Sequence, residues 1–361
     1  MEQLELISIY YLREGLVLTD DIFNYNGKLL LVSRGTVMTK QLIEHLMKFN
    51  KVERNIRVSA KLHQELIEQG IPEQFTQKYL EDNIGYTEVK DETKKMIDEI
   101  ESTNSISHTQ TDEITNLLLD KVWTVAPALL FQCINGGNEI DEYLYRHSAN
   151  VGLINGLMGK WLNLEKSDVD ALVLLGLVHD VGKVKVDQEI LNSPRKLTDE
   201  EFAIVKNHAK FSYDMLTVDK LFEDRVCLGA LYHHERMNGT GYPNALTADD
   251  IPVFARITSI ADIYDAMVSK RVYKQAQSPF TVLLNLQQGS FAGLDIRLVN
   301  VFMTYMPFEL IDKPVLLSNG SVGIVKHIDM TNLEFPMVQI GEEIIFTSPD
   351  LHCVSMVADN W

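Results

Sequence analysis

Apolar positions recur along this chain at a period that changes three times. Residues 1 to 57 read as short strands. Ile7–Tyr11 is apolar, and Asn26-Gly27 leads into Lys28-Leu29-Leu30-Leu31-Val32, a hairpin signal. Leu42, Ile43 and Leu46 share one face of a short helix expected over Thr39–Phe49. From 58 to 135 the period is helical, interrupted by Gly70-Ile71-Pro72 and by the polar run Glu101–Thr111, which reads as a loop or linker. Residues 136–312 carry helix-period patterns such as Val169–Val178, Glu200–Val205 and Phe280–Leu286. From 313 strands return: Val315–Leu317 and Val322–Val325 flank Ser318-Asn319-Gly320-Ser321, and Pro336–Ile340 and Ile344–Phe346 suggest two more. The expected fold class is mainly α. A helical domain at 136–312 follows a helical connecting region at 58–135, with small β-rich modules at 1–57 and 313–361.

Composition narrows the setting. A hydrophobic share of 45% and a charged share of 23% are those of an ordinary globular protein. Cys133, Cys227 and Cys353 are too few and too scattered for a disulfide framework or a cysteine-based zinc site, so a reduced, cytoplasmic setting fits. The opening Met-Glu-Gln-Leu-Glu-Leu lacks the basic region of a signal peptide. The longest apolar run, around Ala171–Val178, is far too short to span a membrane. A net charge of −18 argues against nucleic-acid polymers and anionic membranes as partners. It leaves room for a small anionic ligand, because bound cations reverse the local field.

The candidate chemistry is a metal centre. Five of the ten histidines, His147, His179, His208, His233 and His234, fall within the helical domain, two of them adjacent and one beside Asp180. His179-Asp180 stands where a helix over Asp170–Val181 runs out at Gly182, and a helix end presents adjacent side chains to one cleft. His147 falls on an earlier helix and Asp262 on a later one, expected over Ala255–Val268. Several helices thus each offer a ligand to one centre. The Asp180 carboxylate is suited to bridging two cations, and His208, His233 and His234 suffice for the second. Two cations roughly 3.5–4 Å apart suit phosphodiester hydrolysis, because they activate water and stabilise both the attacking and leaving oxygens. The mixed imidazole and carboxylate set fits iron, manganese or zinc better than magnesium or calcium. Iron is the first expectation and manganese the alternative.

These residues carry a resemblance. His147, the run His179-Asp180-Val181-Gly182-Lys183, His208, the run His233-His234-Glu235-Arg236 with Gly241-Tyr242-Pro243, Ala261-Asp262-Ile263-Tyr264-Asp265-Ala266 and Arg271-Val272-Tyr273-Lys274 stand in the order of the HD-GYP family of bacterial cyclic-di-GMP phosphodiesterases. The chain resembles that family over roughly 139–312. The resemblance implies an all-helical HD-type phosphohydrolase domain that hydrolyses a 3′,5′ phosphodiester of cyclic di-GMP to linear pGpG or, further, to GMP, with a metal-bridging hydroxide as nucleophile. It implies that His147, His179, Asp180 and Asp262 hold one metal, and that His208, His233 and His234 complete the other. It places Lys183 near a phosphate oxygen, Arg271 and Lys274 as a phosphate-binding pair, and Tyr242 in a loop against the ligand.

Four departures from the family pattern bear on this expectation. Tyr143 stands where some members carry a glutamate that helps bind a third metal, so two metals are expected; Asp141 and Glu142 point to other helix faces. Asn238 replaces an aspartate of the signature run, which bears on loop order and on any proton relay. His208-Ala209-Lys210-Phe211-Ser212 replaces a His-Pro-x-x-Gly run, and Val272 replaces a proline. Tyr143 and Asn238 keep open a second class of function, a cyclic-dinucleotide and metal-binding signalling module with weak or lost turnover. Cyclic GMP-AMP is the alternative substrate. Ile114, Leu117, Leu118, Val122 and Val125 stand at helical spacing, suited to pairing with a second subunit as a homodimer or to covering the catalytic domain.

Overall fold

The structure, a computed structural model, describes residues 91–103, 105–124, 140–269 except 194, 219 and 221, 277–341 and 343–356. It also describes residues 5–8, 17–18, 22–23, 30–32, 36, 38, 55–59 and 89. The expected helix at Thr39–Phe49 and the Asn26-Gly27 turn lie outside the described residues. So do Arg271, Val272 and Lys274, and the side chain of Tyr143.

The N-terminal strands form two small antiparallel groups. β1 (Glu5–Ser8) pairs with β5 (Asn55–Ser59), which also pairs with β2 (Val17–Leu18). β3 (Ile22–Phe23) pairs with β4 (Leu30–Val32), as the hairpin signal between them requires.

The remainder is mostly helical with a small sheet at its C-terminal end. The polar run Glu101–Thr111 proves to be two helix ends rather than a linker. Residues 91–103 are helical, and α1 (His108–Thr124) starts only a few residues later. Ser102 and Thr103 donate their hydroxyls back to the Glu99 carbonyl at 2.9 and 2.7 Å, while the Ser107 hydroxyl accepts from the Gln110 amide at 3.4 Å. Short polar side chains terminate and cap helices by such local bonds, so a run rich in them resembles a loop in sequence.

The core is built on α2 (Ile140–Trp161) and α3 (Lys166–Val178). α3 buries Val169, Ala171, Leu172, Val173, Leu175, Leu177 and Val178, which lie all round its axis, so it runs through the interior. The two helices touch backbone to backbone. A Cβ built on Gly176 would lie 2.3 Å from the Gly152 nitrogen and 2.4 Å from its Cα. Buried Asn155 ties a third helix to this pair, donating to the Leu172 carbonyl at 3.0 Å and to the Thr258 hydroxyl at 2.9 Å.

After α3 the chain makes a 3-10 turn at Val181–Lys185 and continues as α4 (Gln188–Leu191), α5 (Asp199–Lys206), α6 (His208–Thr217) and α7 (Asp224–Tyr232). Then follow α8 (Val253–Val268), α9 (Pro279–Gln287) and α10 (Ile296–Glu309). The C-terminal strands are β6 (Pro314–Leu317), β7 (Val322–His327), β8 (Met337–Ile340), β9 (Glu343–Phe346) and β10 (Cys353–Met356), in the order β10-β6-β7-β8-β9. β6 and β7 form the antiparallel hairpin expected around Asn319-Gly320, and Gly320 adopts a φ of 84°. No described helix is long and apolar enough to cross a membrane.

The Gly176–Gly152 contact sets the distance between α2 and α3, and with it the approach of His147 to His179. Replacing Gly176 by alanine overpacks backbone against backbone, which has no flexible side chain to yield. A loss of about 3 kcal/mol is expected, the upper end for core overpacking. Urea unfolding followed by circular dichroism measures it, and wild-type stability in Gly176→Ala would refute this account of the crossing.

Candidate metal centre

Five helices deliver the seven predicted ligands to one place. His147 lies within α2, and His179 and Asp180 follow the end of α3. His208 opens α6, His233 and His234 follow α7, and Asp262 lies within α8. Asp180 leaves the helical path at φ −103° and ψ 6°, turning its carboxylate away from the axis of α3. The 3-10 turn beyond it is clamped to α6: the Gly182 amide donates to the Ser212 hydroxyl at 2.9 Å. A Cβ on Gly182 would stand 2.2 Å from the His208 carbonyl oxygen. That close approach brings Asp180 to His208.

The two oxygens of Asp180 face different partners. Oδ2 lies 3.4 Å from His147 Nε2 and 3.4 Å from His179 Nε2, while Oδ1 lies 3.2 Å from His208 Nε2 and 3.8 Å from His233 Nε2. Asp262 spans the same divide, with Oδ1 3.3 Å from His147 Nε2 and Oδ2 3.8 Å from His234 Nδ1. The donor atoms fall into two groups, His147 with His179 and Asp262, and Asp180 with His208, His233 and His234.

Four of the five imidazoles have Nδ1 fixed by an acceptor. His179 Nδ1 lies 2.7 Å from the Gly176 carbonyl, His208 Nδ1 2.7 Å from that of Val205 and His233 Nδ1 2.7 Å from that of Ala230. A carbonyl can only accept, so each Nδ1 carries the proton and each Nε2 is a bare lone pair aimed at the centre. His147 obeys the same logic with a carboxylate: its Nδ1 donates to Asp265 Oδ2 at 2.7 Å. Asp265 is itself fixed, accepting from Asn150 at 2.6 Å and from the Ser269 hydroxyl at 3.2 Å.

A divalent cation fits this donor set. His179 Nε2, His233 Nε2 and Asp180 Oδ1 are buried without a hydrogen-bond partner, a costly arrangement for groups with nothing to bind. His208 Nε2 and His234 Nε2 face each other at 3.2 Å, which calls for a proton or a cation between them. Burial, reinforced by the neighbouring His179 and His208, pushes His233 down to about 3, and burial beside His233 drives His234 well below its ordinary value. Burial works against ionisation of Asp180 and Asp262, yet Lys183 and His179 hold the first well below the usual carboxylate range and His147 and His234 the second. His147 is raised to about 10, because hydrogen bonds to Asp180, Asp262 and Asp265 outweigh its burial. Neutral imidazoles and ionised carboxylates are the states that metal ligands adopt, and a cation replaces the proton that the carboxylates otherwise draw to His147.

Around the donors, Lys183 forms an ion pair with Asp180 Oδ2 from the 3-10 turn. The Tyr242 ring stacks on His234 with centroids 4.6 Å apart. Burial, with Asp262 and Asp180 nearby, raises its phenol, so it stays protonated and can donate. Glu235, quoted in the sequence only as part of the signature run and given no role, organises the loop: its buried carboxylate accepts from the amides of Asn244 at 2.7 Å and Leu246 at 2.9 Å. Gly241 is needed where the loop folds back, since a Cβ there would sit 2.4 Å from the Glu235 Cα. Among the described residues, Asn238 forms no hydrogen bond to a donor residue. Its Oδ1 accepts from the amide and hydroxyl of Thr240 at 3.2 and 2.7 Å.

Residues 139–295 match the HD domain family. The divided His and Asp cluster lies within that stretch and supports divalent metal binding. The chain is similar to a cyclic di-GMP phosphodiesterase of Pseudomonas aeruginosa, 34% identical over 204 residues, 55% of this chain and 48% of the relative. It is similar to the cyclic di-GMP phosphodiesterase response regulator RpfG of Xanthomonas campestris, 37% identical over 151 residues, 42% of this chain and 40% of the relative. A 3′3′-cGAMP-specific phosphodiesterase of Vibrio cholerae is 35% identical over 165 residues, 45% of this chain and 31% of the relative. The chain spans about half or less of the length of these curated relatives. Its fold is shared with an HDG"Y"P protein from Bdellovibrio bacteriovorus, at a TM-score of 0.53 and 15% identity over 84% of this chain and 99% of that one.

Two outcomes follow for this centre. Asp265→Asn sets an amide nitrogen against the donors of His147 or Asn150, and removing such an orienting partner costs about 10–100-fold in metal affinity. Chelator competition with Mn or Fe measures this, and an unchanged affinity would count against Asp265 as the orienting group. Asn238→Asp offers Thr240 the same acceptor oxygen, so melting temperature and metal content should match wild type. A marked change in either would show that the amide nitrogen has a role of its own.

Proposed function

We propose that this chain is a metal-dependent phosphodiesterase that hydrolyses the 3′,5′ phosphodiester of cyclic di-GMP, yielding linear pGpG or, further, GMP, with catalysis in residues 136–312. The observation that carries the reading is Asp180, whose two oxygens face two separate imidazole groups, as a carboxylate shared by two cations must. We take the cations to be iron, with manganese as the alternative, because the donors are five imidazoles and two carboxylates. The names of the relatives support the substrate class.

When bound, two such cations supply Lewis-acid stabilisation of a phosphoryl group and an activated water. The chain's own residues supply the rest. Asp180 and Asp262 enter ionised, and the locked imidazoles present lone pairs with no reorganisation at the moment of reaction. Lys183 holds an ammonium against Asp180, where it neutralises charge developing on phosphate oxygens. Tyr242 lines the site from the signature loop. Arg271 and Lys274, assigned through the family resemblance, complete phosphate binding. Similarity to a 3′3′-cGAMP-specific phosphodiesterase favours cyclic GMP-AMP as a second substrate to be assayed beside the first.

Purified protein prepared without oxygen and loaded with iron or manganese is expected to convert cyclic di-GMP to linear product. His179→Ala and Asp180→Ala should each abolish turnover, by at least a thousandfold, and remove bound metal measured by plasma mass spectrometry. A protein that carries two metals yet turns over no cyclic dinucleotide would instead be a binding module.

A further inference from the structure

Helix α5 presents a face beside the metal centre that metal ligation leaves unused. The helix is firmly built: the Thr198 hydroxyl accepts from the Glu201 amide at 3.2 Å, and Glu201 accepts from the Thr198 amide at 2.9 Å. Arg195 grips the same carboxylate through two bonds of 2.7 and 2.6 Å, so Glu201 is neutralised. One helical turn apart on this helix stand Phe202 and Lys206. The Lys206 ammonium lies 4.7 Å from the centroid of the Phe202 ring and 5.3 Å from that of Tyr242, and Tyr242 stacks on the ligand His234. A continuous row, Phe202–Lys206–Tyr242–His234, leads outward from one of the two donor groups.

Two features of the row are not explained by packing. The chain carries a net charge of −18, yet among the described residues no carboxylate pairs with Lys206, while the next lysine, Lys210, reaches Asp214 at 3.4 Å. Phe202 is 45% exposed although it stands next to a polar, charged centre. A surface cation–π pair contributes only about 0.5–1 kcal/mol, too little to account for leaving a large aromatic ring in water. Lys206 lies over both rings, and the exposed Phe202 keeps aromatic surface open to a ligand.

We infer that Phe202 and Lys206 form an outer subsite for the half of a cyclic dinucleotide that lies away from the metals, Lys206 meeting its phosphate and Phe202 stacking on its purine. The inference rests on the phosphodiesterase reading above and deepens it. A cyclic dinucleotide carries two phosphates and two bases, and the metals engage one phosphate, so the other half needs recognition of this kind. Stacking on an aromatic side chain contributes about 1–3 kcal/mol per base, or roughly 5- to 150-fold in affinity.

The test uses the full chain loaded with manganese, titrated calorimetrically with the bis-phosphorothioate analogue of cyclic di-GMP, with KM for cyclic di-GMP measured alongside. Phe202→Ala and Lys206→Met should each raise Kd and KM about tenfold, with metal content and melting temperature unmoved. Phe202→Trp and Lys206→Arg should recover most of the loss, and Lys210→Met should change nothing. Wild-type affinity in the two truncations, or conservative variants as impaired as the truncations, would overturn the subsite. A wild-type protein that neither binds the analogue nor hydrolyses any cyclic dinucleotide would overturn the phosphodiesterase reading itself and this subsite with it, an outcome distinct from loss of the subsite alone.

Discussion

Asp180 is only 1% exposed, and its ionised carboxylate stands between two sets of imidazole nitrogens. An isolated buried charge costs several kcal/mol, so the surroundings of this carboxylate must compensate it. Much of the local architecture follows from that demand. α3 must end at His179 so that Asp180 can leave the helix, and Gly182 must lack a side chain so that the turn can press on α6 and bring up His208. Gly176 must lack one so that α2 can approach and bring up His147. The helices are close because the carboxylate needs ligands and cations on both sides.

The polar groups around the donors carry the same logic outward. Three histidines give their Nδ1 protons to carbonyls three residues earlier on their own chain, and His147 gives its proton to Asp265. The backbone of each helix end thus sets the tautomer of the ligand that it carries. Glu235 does comparable work for the signature loop by accepting two backbone amides, which fixes Tyr242 against His234. The result is a site whose donor atoms converge, each held by a hydrogen bond outside the cluster or by the fold of the loop.

The clustered donors were legible in the sequence because their chemistry is dense: a His-Asp pair, a His-His pair and single His and Asp residues on separate helices. The helical and strand textures were legible for the same reason, since periodicity records burial directly. Other features left no such mark. Asp265 is one acidic residue one helical turn beyond a ligand, and only its bond to His147 gives it a role. Glu235 reads as a charge in a loop, Gly176 as a gap in an apolar run, and Ser212 as an ordinary helix residue until the Gly182 amide is found on its hydroxyl. The Ser- and Thr-rich stretch near 105 misled because capping and loop composition coincide. Asn238, expected to bear on loop order or a proton relay, gives its oxygen to Thr240 within the loop.

The central claim is a carboxylate shared by two cations, and anomalous X-ray scattering from crystals loaded with iron or manganese tests it most directly. The account predicts two peaks per chain, one among His147, His179 and Asp262 and one among His208, His233 and His234, each beside a different oxygen of Asp180. A single peak, or two peaks that both lie on the same side of Asp180, would contradict it.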